Sequence, residues 1–100
     1  MIAYLCGKIA GDANYKAKFE RYEKHLKEKG YTVINPASLP LGMKDNQYML
    51  ICLTMLNEAD VIAVLPDFLK SKGARLEIGF AGYQGKKLLM LEDLEDARNS

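Results

Sequence analysis

Four short apolar runs, separated by three amphipathic stretches of helical length, constrain this chain more than any other feature. Residues 2–6 form a run stopped by Gly7, and residues 31–34 follow Gly30 and end at Asn35-Pro36. Residues 61–65 lie between Asp60 and Pro66, and residues 88–91 follow the pair Lys86-Lys87. The runs are continuous rather than alternating, the pattern of strands covered on both faces in a parallel sheet.

The intervening stretches carry the helical period. Tyr15, Phe19, Tyr22 and Leu26 recur at steps of four, three and four, with Lys16, Lys18, Glu20 and Lys24 on other faces and Gly30 as the stop. Tyr48, Ile51, Cys52, Met55 and Ala59 predict a second stripe. Ala74, Ile78 and Ala81, with Leu76 as a further candidate, predict a third, ending near residues 82–85. Strand and helix in alternation predict one α/β domain over residues 1–100, with 92–100 as a polar tail. The expected architecture is a flavodoxin-like three-layer fold: a four-stranded parallel sheet, order 2-1-3-4, with helices on both faces. Such sheets bind ligands outside the carboxyl ends of the strands, at the switch point between the first and third. Residues 7–14, 35–42, 66–73 and 92 onward are therefore the loops expected to carry a site.

Composition narrows the function classes. Fourteen basic residues face thirteen acidic ones, a formal charge of +1, and no basic stripe follows a helix. Nucleic-acid binding through counterion release is not expected. Nor is a base-stacking platform, since Trp is absent and the six tyrosines are scattered. No apolar run reaches the roughly 18 residues of a membrane span, and the start MIAYLCGKIAGD lacks signal-peptide features. Cys6 and Cys52 belong to no CxxC motif and read as buried reduced thiols, which points to the cytoplasm. His25, in KHLKEK, lies on a solvated helix face. No zinc or calcium ligand spacing is present, so neither metal nor cofactor is expected.

Two segments carry candidate chemistry. In YLCGKIAGD, Gly7 and Gly11 permit tight turning and close backbone approach, and Lys8 sets a cation beside the switch point. The spacing is not GxGxxG, and a plain strand-to-helix loop is the alternative. In SKGARLEIGFAGYQGK, Ser71 can cap the third helix and leave N–H groups free for an anion. Glu77 follows Ala74 by three and precedes Ala81 by four, so it shares the sheet-facing side. A carboxylate there is costly unless partnered. A glutamate at the edge of the stripe, reaching solvent, is the alternative, and periodicity does not decide between them. Asp67 stands just past the third strand, where a site would lie, although a loop aspartate needs no special reason. Asp60 stands at that strand's start, where ending the preceding helix would account for it.

Taken in order, YLCGKIAGD, GYTVINPA, ADVIAVLPD and SKGARLEIGFAGYQGKK resemble the nucleoside 2-deoxyribosyltransferase-like superfamily over roughly residues 2–91. The resemblance is to a small branch similar to the 2′-deoxynucleoside 5′-phosphate N-hydrolases. It implies a flavodoxin-like fold that breaks or exchanges N-glycosidic bonds of nucleosides or their 5′-monophosphates, without a cofactor. The alternative is a nucleotide-binding module that does not turn its ligand over. By resemblance Glu77 is the nucleophile, Tyr4 places it, and Asp60 handles the leaving base. Ser71 takes the position that is serine in the monophosphate hydrolases, and Gly7 and Gly73 line the sugar and phosphate. Lys8 and Ala10 depart from the serine and arginine of those hydrolases. A 5′-phosphate is therefore expected between Lys8, the turn at Gly11 and Ser71, with Asp67 nearby in the substrate site. The apolar second helix, with Tyr48, Met49, Ile51, Cys52, Met55 and Leu56, predicts a homodimer or higher homo-oligomer.

Overall fold

The structure, a computed structural model, describes residues 1–94. Strands β1 (Ile2–Cys6) and β3 (Val61–Val64) form the centre of a four-stranded parallel sheet. Strands β2 (Thr32–Ile34) and β4 (Lys87–Met90) form its edges, giving the order β2-β1-β3-β4. Tyr4 is in register with Ile34 on one side and Ile62 on the other, and Cys6 with Val64. The predicted sheet order is therefore the observed one. Full coverage holds for β3 and for all of β1 except Ile2. At the edge strand β4, Leu88 and Met90 remain exposed, because no further strand or helix flanks them among the described residues.

The chain leaves β1 in one direction to reach β2 and then moves the other way twice. Right-handed crossovers therefore put one helix on one face and two on the other. Helix α1 (Tyr15–Glu28) buries Phe19, Tyr22 and Leu26 against Ala3, Leu5, Val61, Ala63 and Leu65. Its end is set by Gly30 at φ +93°, with the N–H groups of Gly30 and Tyr31 reaching back to the carbonyls of Lys27 and Leu26. This double closure favours glycine because of its left-handed backbone. Helices α2 (Asp45–Asn57) and α3 (Lys72–Tyr83) cover the opposite face. There Cys52, Leu56, Ala74 and Ala81 pack on Tyr4, Cys6, Ile62 and Val64.

The second stripe differs from the predicted one. Cys52 and Leu56 point inward, Ile51 is exposed, and Ala59 is buried beyond the end of the helix. Nearly every position from Tyr48 to Leu56 is apolar, so the sequence offers no polar face to fix the phase. At the far end, the Tyr22 hydroxyl donates to the Glu92 carbonyl (3.3 Å) and accepts from the Leu94 N–H (3.2 Å). Leu91 and Leu94 pack on the α1-side core, so the expected polar tail is tied to the body through residue 94. Its remainder lies outside the described residues. Among those residues no helix is long and apolar enough to cross a membrane.

Candidate functional site

A cleft of about 1060 Å³ opens at the carboxyl end of the sheet, where the strand order switches. The β1–α1 loop supplies one wall through Gly7 and residues 9–13. The segment after β2 supplies Pro36, Leu39 and Leu41, and is pinned to α2 by Tyr48, whose hydroxyl donates to the Pro40 carbonyl at 2.6 Å. Helix α2 adds Asp45, Met49 and Cys52, and the start of α3 adds residues 70–74. Three of the four expected loops thus converge. Among the described residues of the segment from Glu92, none lines the cleft; residues 92–94 meet α1 instead.

Glu77 is part of the cleft lining yet only 6% exposed. The spacing with Ala74 and Ala81 places it on the sheet-facing side of α3, so of the two readings open from periodicity the buried one holds. Its partners come from alternate residues of β1, which share one face of the sheet. The Tyr4 hydroxyl donates to Oε2 at 2.6 Å, and the Cys6 thiol lies 3.4 Å from Oε1. Burial pushes the Glu77 carboxyl above the usual carboxylate range, and the donors from Tyr4 and Cys6 pull it partway back. Burial, and next the Glu77 charge, hold the Tyr4 phenol and the Cys6 thiol protonated far above their ordinary values. Both side chains therefore remain donors whenever Glu77 is charged.

A second cluster fixes the β1–α1 wall. Lys18 donates to the Lys8 carbonyl at 2.8 Å and to the carboxylates of Asp12 and Asp67, and Asp67 also accepts the Lys8 N–H at 3.0 Å. The lysine thereby ties the loop to the end of β3. Gly7 lies beneath it: a Cβ there would sit 2.8 Å from Leu65 Cβ, so the loop can leave β1 at this point only without a side chain. Lys18 was expected only to lie off the apolar stripe of α1. Its role depends on Asp67, which reaches it through the adjacency of β1 and β3, a relation no local pattern reveals.

The remaining expected residues divide. Ser71 caps α3, its Oγ accepting the Ala74 N–H at 3.1 Å, and lines the cleft together with Gly73. Gly11, at φ +81°, lines it too. Lys70 and Lys72, on either side of Ser71, are the lysines of the lining, and the sequence reading missed them. Lys8 is not among the lining residues; its ammonium lies beside the Gly11 turn, 4.0 Å from where a Cβ on Gly11 would stand. Asp67 is engaged by Lys18 and the Lys8 N–H rather than lining the cleft. Asp60 stands before β3, at the amino end of the sheet, where its carboxylate accepts the Ile2 N–H at 2.8 Å. The structure does not bring it to Glu77. Among the described residues no three His, Cys, Asp or Glu side chains gather as metal ligands.

A family profile described as "Domain of unknown function (DUF4406)" matches residues 1–90. Among solved structures, the fold is similar to a 2-deoxyribosyltransferase of Leishmania mexicana, with TM-score 0.71 and 19% identity over 90% of this chain and 63% of that one. The chain thus spans less than two thirds of that protein. It is also similar to a 2-deoxyribosyltransferase of the psychrotolerant bacterium Bacillus psychrosaccharolyticus, with TM-score 0.72 and 18% identity over 100% of this chain and 92% of that one. No curated protein sequence matches the chain.

Proposed function

The chain belongs to the DUF4406 family, within the nucleoside 2-deoxyribosyltransferase-like superfamily, and on that premise we propose that it breaks or exchanges the N-glycosidic bond of a nucleoside or nucleoside 5′-monophosphate. The observation that carries this reading is a buried carboxylate at the floor of a ligand-sized cleft, held by a 2.6 Å hydrogen bond from Tyr4. In the proposed mechanism the Glu77 carboxylate attacks C1′ as the base departs, through an oxocarbenium-like transition state. Water, or a second base, then attacks C1′ and frees the carboxylate. Tyr4 fixes the orientation of the nucleophile and keeps one of its oxygens hydrogen-bonded throughout. The low exposure of Glu77 keeps bulk water from competing for the same lone pairs.

A 5′-phosphate fits the other end of the cleft. The amino terminus of α3 presents backbone N–H groups, the Ser71 hydroxyl can donate while its oxygen caps the helix, and Lys70 and Lys72 bring positive charge. A helix terminus contributes about 0.3–1 kcal/mol toward such an anion, and charge-assisted bonds from the lysines add to it. Gly73 leaves room for close approach, the nearest side-chain atom to a Cβ there being the flexible end of Met49 at 3.4 Å.

Binding without turnover is the second reading, favoured by the position of Asp60 at the wrong end of the sheet to assist a leaving base. One assay separates the two. The wild type and a Glu77→Ala variant are incubated with a panel of nucleosides and 5′-monophosphates, and free base is measured by chromatography. Base release by wild type alone supports the nucleophile. Equal release by a folded Glu77→Ala protein removes it, and thermal stabilisation by nucleotide without release establishes the binding module. Replacing Lys70 and Lys72 with alanine should erase any preference for the monophosphate over the nucleoside, whereas Lys8→Ala should not.

A further inference from the structure

The proposed reaction uses Glu77 and Tyr4 and leaves the second β1 donor without a part. The Cys6 thiol carries one hydrogen and faces two acceptors at nearly equal reach: Glu77 Oε1 at 3.4 Å and the Ala74 carbonyl at 3.5 Å. It can satisfy only one at a time. A charged carboxylate outcompetes a peptide carbonyl for a donor, so the hydrogen belongs to Oε1 while Glu77 is ionised. The two oxygens of Glu77 are therefore held unequally. Oε2 receives a short phenolic bond of 2.6 Å, and Oε1 only a weak thiol one.

We infer that Cys6 is a positioning residue for Glu77, its thiol holding Oε1 while that oxygen is charged and turning to the Ala74 carbonyl when it is neutralised, which leaves Oε1 as the attacking atom. The assignment of the attacking oxygen rests on the glycosidic reading proposed above; the thiol switch does not. In the attack, a lone pair of Oε1 forms the bond to C1′ and the C1′–N bond breaks. Its electron pair leaves with the base, which takes a proton from water. The thiol proton stays on sulfur and changes only its acceptor. The Ala74 carbonyl matters because a buried donor stripped of its partner would otherwise be left unsatisfied at the moment the ester forms. Among the described residues, the titratable groups facing Glu77 are Tyr4 and Cys6 from β1 and Cys52 from α2, while Asp67 at the end of β3 bears on Cys6. None of them is a cation, so the donors from β1 hold the carboxylate charge.

The test replaces the thiol in two directions. Cys6→Ala removes the donor, and Cys6→Ser supplies a stronger one. The titration of the Glu77 side-chain carboxyl is followed by carbon-13 NMR in both, beside steady-state base release. Alanine should raise the Glu77 midpoint and serine should lower it. With serine, kcat should fall severalfold at unchanged KM, because a more firmly held oxygen is a poorer nucleophile. With alanine, kcat should fall at neutral pH and recover as pH rises. A Glu77 midpoint that is unmoved, or that moves the same way in both variants, overturns the proposal, since a purely packing role would produce either result. If the buried hydroxyl prevents Cys6→Ser from folding, the direction of the Cys6→Ala shift decides alone. If wild type releases base from no substrate, the glycosidic reading fails and the oxygen assignment falls with it. The titration still decides whether Cys6 positions Glu77.

Discussion

Replacing Lys18 with methionine keeps most of the apolar stem of the side chain and removes one ammonium that serves three acceptors. In the native protein that group donates to the Lys8 carbonyl, Asp12 and Asp67, with side-chain exposures of 15% for the lysine and 25% for each aspartate. Exposed ion pairs contribute about 0–1 kcal/mol, and hydrogen bonds to charged groups about 1.5–3 kcal/mol. A largely buried cluster in which one donor serves three acceptors falls in the upper of these ranges, at about 2–3 kcal/mol. For a domain of this size that loss lowers Tm by about 10–20 °C. The effect also depends on pH. The Lys18 hydrogen bond is the main cause holding the Asp12 carboxyl below its ordinary range. A carboxyl whose folded pKa is depressed contributes stability above its unfolded value, near about 3.9, and loses it as pH falls through the folded value. Lys18→Met should therefore flatten the acid limb of the stability profile as well as lower its plateau. Urea unfolding followed by circular dichroism, at pH 7 and in steps down to pH 2, measures both. A variant within about 0.5 kcal/mol of wild type at pH 7, with an unchanged acid limb, would refute the reasoning, since surface substitutions commonly fall in that range.

Three further outcomes follow from the geometry. Glu77 has the opposite sign to Asp12: its folded pKa is raised, so its contribution to stability is lost as pH rises from the unfolded value toward the folded one. Glu77→Gln should therefore be more stable than wild type at pH 7 in the same urea assay, and should lack that decline. Gly7→Ala forces a Cβ to within 2.8 Å of Leu65 Cβ, an atom fixed to the strand backbone, and should cost about 1–3 kcal/mol by overpacking, visible as a lowered Tm. Leu50 and Ile51 of α2 are 68% and 38% exposed, so light scattering at micromolar concentration should give at least twice the 11.2 kDa chain mass, and Leu50→Lys should return it to the monomer.

The layer architecture was legible because the strand runs are short, continuous and bounded by glycine, proline or charge. Those signals are local, and the crossover rule converts them into a sheet order. Glu77 was legible for a similar reason: Ala74 and Ala81 mark its face of α3. Its burial was not, because the deciding partners lie on β1, more than seventy residues earlier in the chain. The phase of α2 was lost where apolar residues surround the helix. The role of Lys18 went unread because a long side chain can leave its own helix face for acceptors on a neighbouring loop. Lys70 and Lys72 were passed over because their flexible stems carry no period. Asp60 was assigned by resemblance alone; it stands at the amino end of β3, bonded to the Ile2 N–H, because strand polarity puts a residue preceding a parallel strand at the end opposite the cleft.

Tyr4 and Cys6 are two residues apart on β1, one of the two central strands that pair with neighbours on both sides and lie under helices on both faces. Backbone amides in such a position exchange with solvent only through opening of the whole domain. The groups that set the charge and aim of Glu77 are therefore mounted on the slowest-exchanging part of the molecule, not on a loop that breathes. Edge strands β2 and β4 can fray, and the cleft walls can shift to admit a ligand, while the carboxylate stays aimed. For this chain, loss of the site on heating should coincide with loss of the fold, with no earlier inactivated state between them.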